Sequence, residues 1–146
     1  MSYNWNTRTE LLLGTDRMEY LSHCHVLVVG LGGVGAYAAE QICRAGIGHM
    51  TIVDADTVNE SNINRQLPAL HSTVGMQKAE VVGRRLLDIN PRLKLTILNE
   101  FLRDERTDEV LSSQKYDFIV DAIDSLSPKV YLLAYAYKHD IPIVSS

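Results

Sequence analysis

The chain has 146 residues, of which 46% are hydrophobic and 22% are charged, and its formal net charge is −4. This length fits one domain, the apolar fraction supplies a buried core, and the composition excludes a disordered chain. The acidic balance speaks against general nucleic-acid binding, although a local basic patch stays compatible with it.

The sequence gives no sign of a membrane or an export route. No apolar run approaches the roughly 20 residues of a membrane helix. The start, "MSYNWNTRTELLLG", lacks the charged and apolar segments of a signal peptide. Two cysteines, Cys24 and Cys43, do not make a disulfide framework. We therefore expect a cytoplasmic protein without a membrane partner.

The periodicity predicts an α/β fold of the Rossmann-like, doubly wound kind, with a mostly parallel sheet and helices on both faces. Residues 1–24 are expected to form an N-terminal helical lead-in, and residues 25–146 a nucleotide-binding domain that is truncated on its C-terminal side. The predicted elements after the lead-in are a strand at 25–30, a helix at 34–46, a strand at 49–54, a helix at 73–90, a strand at 92–100, a helix at 104–113, a strand at 116–124, a helix at 127–140 and a strand from 141.

A glycine-rich turn joins the first predicted strand to the next helix. "GLGGVG" places Gly30, Gly32 and Gly35 in the order G-x-G-x-x-G. Such glycines permit a tight turn, and the helix that follows offers free N–H groups to a phosphate. Asp54 ends the next strand, roughly 20 residues on, where a carboxylate accepts hydrogen bonds from ribose hydroxyls. The pattern predicts nucleotide binding, with a purely structural turn as the alternative.

The segment from Asp54 to Leu67, "DADTVNESNINRQL", is more polar than a dinucleotide site requires. Arg65 can grip phosphate oxygens with its planar guanidinium, and neighbouring amides can orient it or bind the ligand. Lys78 adds a second cation on the next helix. A triphosphate carries enough charge to need both cations, whereas the helix N-terminus alone serves a pyrophosphate. The alternatives are an ordinary polar loop and an ordinary solvated lysine.

"DAIDS" places Asp121 and Asp124 at the carboxyl end of a strand, where ligands bind in open α/β sheets. A carboxylate facing a triphosphate suits Mg²⁺, which takes one or two carboxylates together with phosphate oxygens. The alternative for Asp124 is a cap on the following helix. A different cluster, His23 and His25, resembles a small metal site but is better explained as the start of a strand.

Taken in order, "GLGGVG", "VDADTVNESNINRQ", the lysine of "VGMQKAE", "INP" and "DAIDS" resemble the ubiquitin-activating-enzyme-like adenylyltransferases, the ThiF/MoeB/HesA group. Within that group, "RTELLLG", "NRQLPAL" and "DAIDSLSPK" are most similar to the tRNA threonylcarbamoyladenosine dehydratases.

The resemblance implies ATP and Mg²⁺ as cofactors and a homodimer in which an N-terminal arginine of one subunit enters the site of the other. Arg8 matches that arginine, and Arg17 is the alternative. The implied catalytic residues are Arg8, Arg65, Lys78 and Asp124, with Asp124 as the metal ligand. The implied nucleotide-binding residues are Gly30, Gly32, Gly33, Gly35, Asp54, Asp56, Asn62, Arg65, Gln66 and Lys78.

The implied reaction is attack of a carboxylate on the α-phosphate of ATP, which gives an acyl-adenylate and pyrophosphate. The substrate would be threonylcarbamoyladenosine in tRNA, with the C-terminus of a ubiquitin-like sulfur-carrier protein as the alternative. A cysteine desulfurase or another sulfur-acceptor protein is a further expected partner. More distant alternatives are an NAD-dependent oxidoreductase and a non-catalytic binding module.

Overall fold

The computed structural model describes residues 4–146 and contains one parallel sheet of five strands in the order β3-β2-β1-β4-β5. The α/β, Rossmann-like prediction is confirmed. The elements are α1 (Thr7–Leu13), α2 (Thr15–Ser22), β1 (His25–Val29), α3 (Gly35–Arg44), β2 (His49–Val53), α4 (Lys78–Ile89), β3 (Lys94–Leu98), α5 (Asp104–Ser113), β4 (Phe118–Asp121), α6 (Leu126–Lys138) and β5 (Ile143–Ser145).

The sheet separates two hydrophobic cores, because successive strand residues point to opposite faces. On one face, Val26 and Val28 of β1 pack in a cluster with α3 and α4. On the other face, Leu27 and Val29 pack in a cluster with α5 and α6. All five residues of β1 are buried, as expected for a central strand covered by helices on both sides.

The strand order reverses at β1. From there the chain moves through β2 to β3 on one side, and then crosses over to β4 and β5 on the other. Ligands of open α/β sheets bind in the crevice that this reversal opens at the carboxyl ends of the strands. The fold therefore points to the residues that follow β1, β2 and β4.

The lead-in consists of two short helices. Gly14, with φ +87°, separates α1 from α2, and neither helix contains a buried residue. Leu11 and Leu12 of α1 are 74% and 82% exposed. The division of the chain at residue 24 stays a prediction. Among residues 4–146, no helix is long and apolar enough to cross a membrane.

The helix predicted at 73–90 begins later, at Lys78. Gly75 has φ +87° and donates its N–H to the carbonyl of Val58 at 2.8 Å. An antiparallel bridge joins Thr57 to Gln77. These bonds hold residues 75–77 against the loop after β2, so helical hydrogen bonding cannot start there. The consequence is that the first residue of α4 lies beside that loop. The other predicted elements begin and end within a few residues of the observed ones.

Candidate active site

A cavity of about 450 Å³ lies at the carboxyl ends of the central strands. Gly30, Gly32 and Gly33 form part of its wall. The structure also brings to it most of the polar side chains that the sequence singled out, namely Asp54, Asp56, Arg65, Gln66, Lys78 and Asp124. Gly35, Asn62, Arg8 and Arg17 do not line it.

The glycines of the first turn serve two different purposes. A Cβ on Gly30, whose φ is +94°, would lie 2.5 Å from the carbonyl oxygen of Ala122, and a Cβ on Gly35 would lie 1.7 Å from the carbonyl oxygen of Gly30. Both positions are glycine because the backbone is closely packed there, and Gly35 contacts the turn rather than the cavity. At Gly32 and Gly33 the nearest atoms to a Cβ are 3.5 and 3.8 Å away, so their missing side chains leave room for a ligand.

Asp54 is oriented by the backbone around it. Its Oδ2 accepts the N–H of Leu31 at 2.7 Å, and its Oδ1 accepts the N–H of Asp56 at 2.7 Å. Burial raises the pKa of Asp54, and these two N–H groups and nearby Lys78 partly offset that effect. The result is a fixed hydrogen-bond acceptor at the end of β2.

Lys78 is a buried cation at the first turn of α4. Its side chain is 7% exposed, and its Nζ lies 3.7 Å from Oδ2 of Asp56. The backbone N–H of Lys78 donates to the carbonyl of Asp56 at 3.0 Å. A largely buried ammonium that faces a cavity and has one half-exposed carboxylate near it is ready to bind an anion. The alternative of an ordinary solvated lysine is wrong.

Arg65 lines the cavity at its rim, and residues of its own loop hold its side chain by hydrogen bonds. Its Nη1 donates to the carbonyl of Ser61 at 3.2 Å and to Oδ1 of Asn64 at 2.9 Å. Gln66, the next residue, lies over Gly32, and its Oε1 is buried without a hydrogen-bond partner. An unsatisfied buried acceptor is unfavourable, so Gln66 marks a polar position in the wall that suits a donor on a ligand.

Asn62 supports this loop from within. Its Oδ1 accepts the N–H of Asn59 at 2.9 Å, and Oδ1 of Asn59 accepts the N–H of Ser61 at 2.9 Å. The carbonyl of Asn62 also accepts the N–H groups of Arg65 and Gln66. Its contacts therefore position Arg65 and Gln66. A direct role of Asn62 on a triphosphate stays a prediction.

Asp124 is exposed at the mouth of the cavity. The N-cap of α6 is Ser125, so the alternative of Asp124 as the helix cap is wrong. Within residues 4–146 no group of three or more His, Cys, Asp or Glu side chains could hold a metal ion by itself. Asp54 and Asp56 line the same cavity. A carboxylate beside phosphate oxygens fits Mg²⁺, which completes its shell with those oxygens and water.

One wall of the cavity is the segment at residues 100–103 that follows β3, and the sequence did not predict it. Leu102 is buried, Phe101 is 62% exposed, and the guanidinium of Arg103 lies 6.0 Å from the centre of the Phe101 ring. No motif marks these residues. Only the topology could have indicated this wall, because β3 runs parallel to β2 and its carboxyl end lies at the same edge of the sheet as the cavity.

Arg8 and Arg17 lie on α1 and α2, away from the cavity of their own chain, and both are exposed. The structure therefore gives neither arginine a role in the site of the same subunit.

Known proteins resemble this chain throughout its length. Residues 3–146 match the ThiF family. The chain is 39% identical over 145 residues to the tRNA threonylcarbamoyladenosine dehydratase of Escherichia coli, covering 97% of this chain and 54% of that protein. The enzyme of the same name from Bacillus subtilis is 41% identical over 140 residues, covering 96% of this chain and 55% of that protein.

A solved structure shows the same fold. The E. coli tRNA N6-threonylcarbamoyladenosine dehydratase in complex with ATP superposes with a TM-score of 0.92 at 39% identity, covering 99% of this chain and 60% of that one. The chain thus spans about half the length of the curated relatives it matches.

Proposed function

The chain belongs to the ThiF family, and from that premise we propose that it binds ATP and adenylates a carboxylate. The observation that carries this proposal is the pair of cations in the cavity, the buried Lys78 and the rim residue Arg65. A dinucleotide pyrophosphate is served by the glycine turn and the start of α3 alone. A triphosphate needs further positive charge, so the two cations favour ATP over NAD.

The residues of this chain would act by positioning and by electrostatics. Gly32 and Gly33 let the phosphates approach the backbone, and Asp54 accepts from the ribose. Lys78 and Arg65 offset the charge that develops when a carboxylate attacks the α-phosphate. No side-chain nucleophile is needed for this step, since the carboxylate of the substrate forms the new bond and pyrophosphate leaves.

Mg²⁺ would be held by Asp124 together with phosphate oxygens. When bound, it would neutralise charge on the triphosphate. The donor set fits this ion because Asp124 is an exposed carboxylate at the cavity, and Mg²⁺ takes one or two carboxylates and leaves its remaining positions to phosphate and water.

We propose threonylcarbamoyladenosine in tRNA as the substrate. The support is the name shared by the two relatives described above. The carboxylate of the threonyl group would attack the α-phosphate and form an acyl-adenylate. Ring closure within the same group would then expel AMP, so that the nucleoside loses one water overall. Such a substrate agrees with a cytoplasmic location.

A homodimer is part of the same proposal. Arg8 lies outside the cavity of its own chain. An arginine that enters the site of the partner subunit must lie outside the site of its own subunit. The exposed Leu11 and Leu12 next to it give α1 an apolar surface for such a contact. A protein that is monomeric in analytical ultracentrifugation and fully active in the enzymatic assay would contradict this role of Arg8. A sulfur-acceptor protein stays a proposed further partner.

The test is to incubate the protein with Mg-ATP and tRNA that carries threonylcarbamoyladenosine, and to weigh the digested nucleoside. We expect an ATP-dependent loss of one water. If ATP binds and the mass is unchanged, the carboxylate substrate is wrong, and the C-terminus of a sulfur-carrier protein is the next to try. If NADH binds and ATP does not, adenylation itself is wrong.

A further inference from the structure

An ion pair between the buried Asp121 and the partly buried Lys129 lies at the turn that leads from β4 to Asp124. Asp121 is the last residue of β4 and its side chain is 0% exposed, while the side chain of Lys129, in the first turns of α6, is 17% exposed. The distance from Nζ of Lys129 to Oδ2 of Asp121 is 2.7 Å. Asp121 does not line the cavity, and the proposed chemistry does not use it.

Both charges are satisfied by further hydrogen bonds. Oδ2 of Asp121 also accepts from Oγ of Ser145 at 2.7 Å, and Lys129 donates to Oγ of Ser145 at 3.3 Å and to the carbonyl of Ser146 at 2.9 Å. The network therefore ties together the end of β4, the end of β5 and the start of α6.

The other oxygen of Asp121 shapes the turn that leads to Asp124. Oδ1 accepts the backbone N–H of Ile123 at 3.0 Å, which folds the chain back immediately after the strand. The N–H of Ala122 donates to the carbonyl of Val29 at 2.8 Å, so the turn is also fixed against β1. Asp124 is the next residue after this fixed turn, and its position depends on it.

Stability alone is a weak reason for such a pair. Removing two charges from water is costly, and well-packed apolar residues in place of a buried ion pair are often as stable or more stable. The location is informative, because this pair lies at the turn that carries Asp124 to the cavity mouth.

We propose that Asp121 and Lys129 are positioning residues that hold Asp124 in place for the magnesium ion of the nucleotide. This inference rests on the proposed function. The two residues act through the turn and do not touch the nucleotide.

The test uses three calorimetric titrations. AMP is titrated without metal, and ATP is titrated once with Mg²⁺ and once without it. The double variant Asp121→Asn/Lys129→Met removes both charges and leaves no unpaired buried charge. We expect it to bind AMP as the wild type does. The gain in ATP affinity that Mg²⁺ produces should fall by about 10- to 100-fold, the usual effect of disturbing residues that orient a metal ligand. Lys129→Arg keeps the charge and should retain most of the gain.

A double-mutant cycle separates positioning from general destabilisation. In a protein that already carries Asp124→Asn, the Asp121→Asn/Lys129→Met change should have no further effect on the magnesium dependence, because residues that act through one group are not additive. The matched control is Glu40→Gln/Arg85→Met, which removes an ion pair of a largely buried glutamate between α3 and α4, away from the cavity. It should leave the magnesium dependence unchanged.

If the double variant does not fold, Ser145→Ala serves instead. It removes one hydrogen bond to Asp121 without leaving a buried charge, and it should reduce the magnesium-dependent gain in the same direction. Unchanged magnesium dependence in the folded variants, or additive effects in the cycle, would overturn the positioning role alone. A wild-type protein that binds neither AMP nor ATP would overturn the proposed function and this inference together.

Discussion

At the scale of single residues, the polar segment after β2 divides into side chains that face the cavity and side chains that hold the loop. Arg65 and Gln66 face the cavity. By contrast, the side chain of Asn62 accepts the N–H of Asn59, and the side chain of Asn59 accepts the N–H of Ser61. The sequence predicted which residue types gather here, because charge and amide chemistry are visible in the letters. It did not predict this division, because the direction of an amide depends on the fold of its loop. The burial of Lys78 was not predictable either, because it also depends on how the loop after β2 folds.

Replacement of either cation should weaken nucleotide binding without unfolding the protein. We expect Arg65→Ala and Lys78→Ala each to reduce ATP affinity by about tenfold or more, since charge-assisted hydrogen bonds to phosphate contribute roughly 1.5–3 kcal/mol. Binding is measured by calorimetry, and folding by circular dichroism. Asp56, the carboxylate partner of Lys78, is half exposed and stays solvated in the Lys78→Ala variant.

The matched control is Arg84→Ala. Arg84 is an exposed arginine of α4 that does not line the cavity, and its loss should leave ATP affinity unchanged. Wild-type affinity in both Arg65→Ala and Lys78→Ala would contradict the assignment of the two cations to the triphosphate.

At the scale of elements, the strands were predictable because each is a short segment that is either apolar or, in β3, alternates between polar and apolar residues. The start of α4 was not, because residues 75–77 carry no helix breaker except Gly75 and are withdrawn from the helix by bonds to the loop after β2. Those bonds join segments that are distant along the chain. A single sequence does not show such pairing, and the cavity wall at residues 100–103 escaped prediction for a similar reason.

Substitution by alanine at two glycines of the same turn should have different effects on the free energy of unfolding. In Gly35→Ala the added Cβ would lie 1.7 Å from the carbonyl oxygen of Gly30, so backbone must move, and we expect the free energy of unfolding to fall by about 3 kcal/mol or more. In Gly33→Ala the nearest atom is 3.8 Å away, so the protein should keep its stability.

The same Gly33→Ala variant should lose nucleotide affinity, because its methyl group would enter the space that we propose for the phosphates. Urea unfolding measures the first effect, and ATP titration measures the second. A stable Gly35→Ala protein, or a Gly33→Ala protein with unchanged ATP affinity, would show that the two glycines are not divided between packing and ligand access as described.

At the scale of the whole molecule, the edge of the sheet opposite the cavity holds a stacked pair of histidines. The ring centres of His25 and His49 are 3.5 Å apart, and Nε2 of His25 is 2.8 Å from Oγ1 of Thr51. Burial first, and then the neighbouring His49, lower the pKa of His25 to about 4, while Asp117 acts in the opposite direction. Burial and Lys94 lower the pKa of His49. His25 is the first residue of β1, whereas His23 is the C-cap of α2, and within residues 4–146 neither belongs to a group of three or more side chains that could hold a metal ion.

This pair should make the protein sensitive to acid. A histidine with a lowered pKa in the folded state binds its proton more readily after unfolding. Its contribution is therefore fully present above the ordinary pKa of 6.5 and is lost as the pH falls towards about 4. The loss for His25 is at most about 3 kcal/mol, from the size of the shift.

The measurement is urea unfolding between pH 7 and pH 4. His25→Gln removes the titration, and we expect its stability to fall less steeply over this range than that of the wild type. His71→Gln alters an exposed histidine and should follow the wild type. Parallel curves for the wild type and His25→Gln would contradict the prediction.

The close approach of Gly30 to Ala122 has a consequence for how the protein acquires its ligand during synthesis. Gly30, Lys78 and most of the other residues that line the cavity leave the ribosome well before β4 and the Asp121–Asp124 turn. Parallel pairing of β4 with β1 closes a long loop, which is a slow, non-local step of folding. The cavity is complete only after that step. Under the proposed function, ATP would therefore bind late and would stabilise the assembled sheet by mass action, which would favour correctly folded chains.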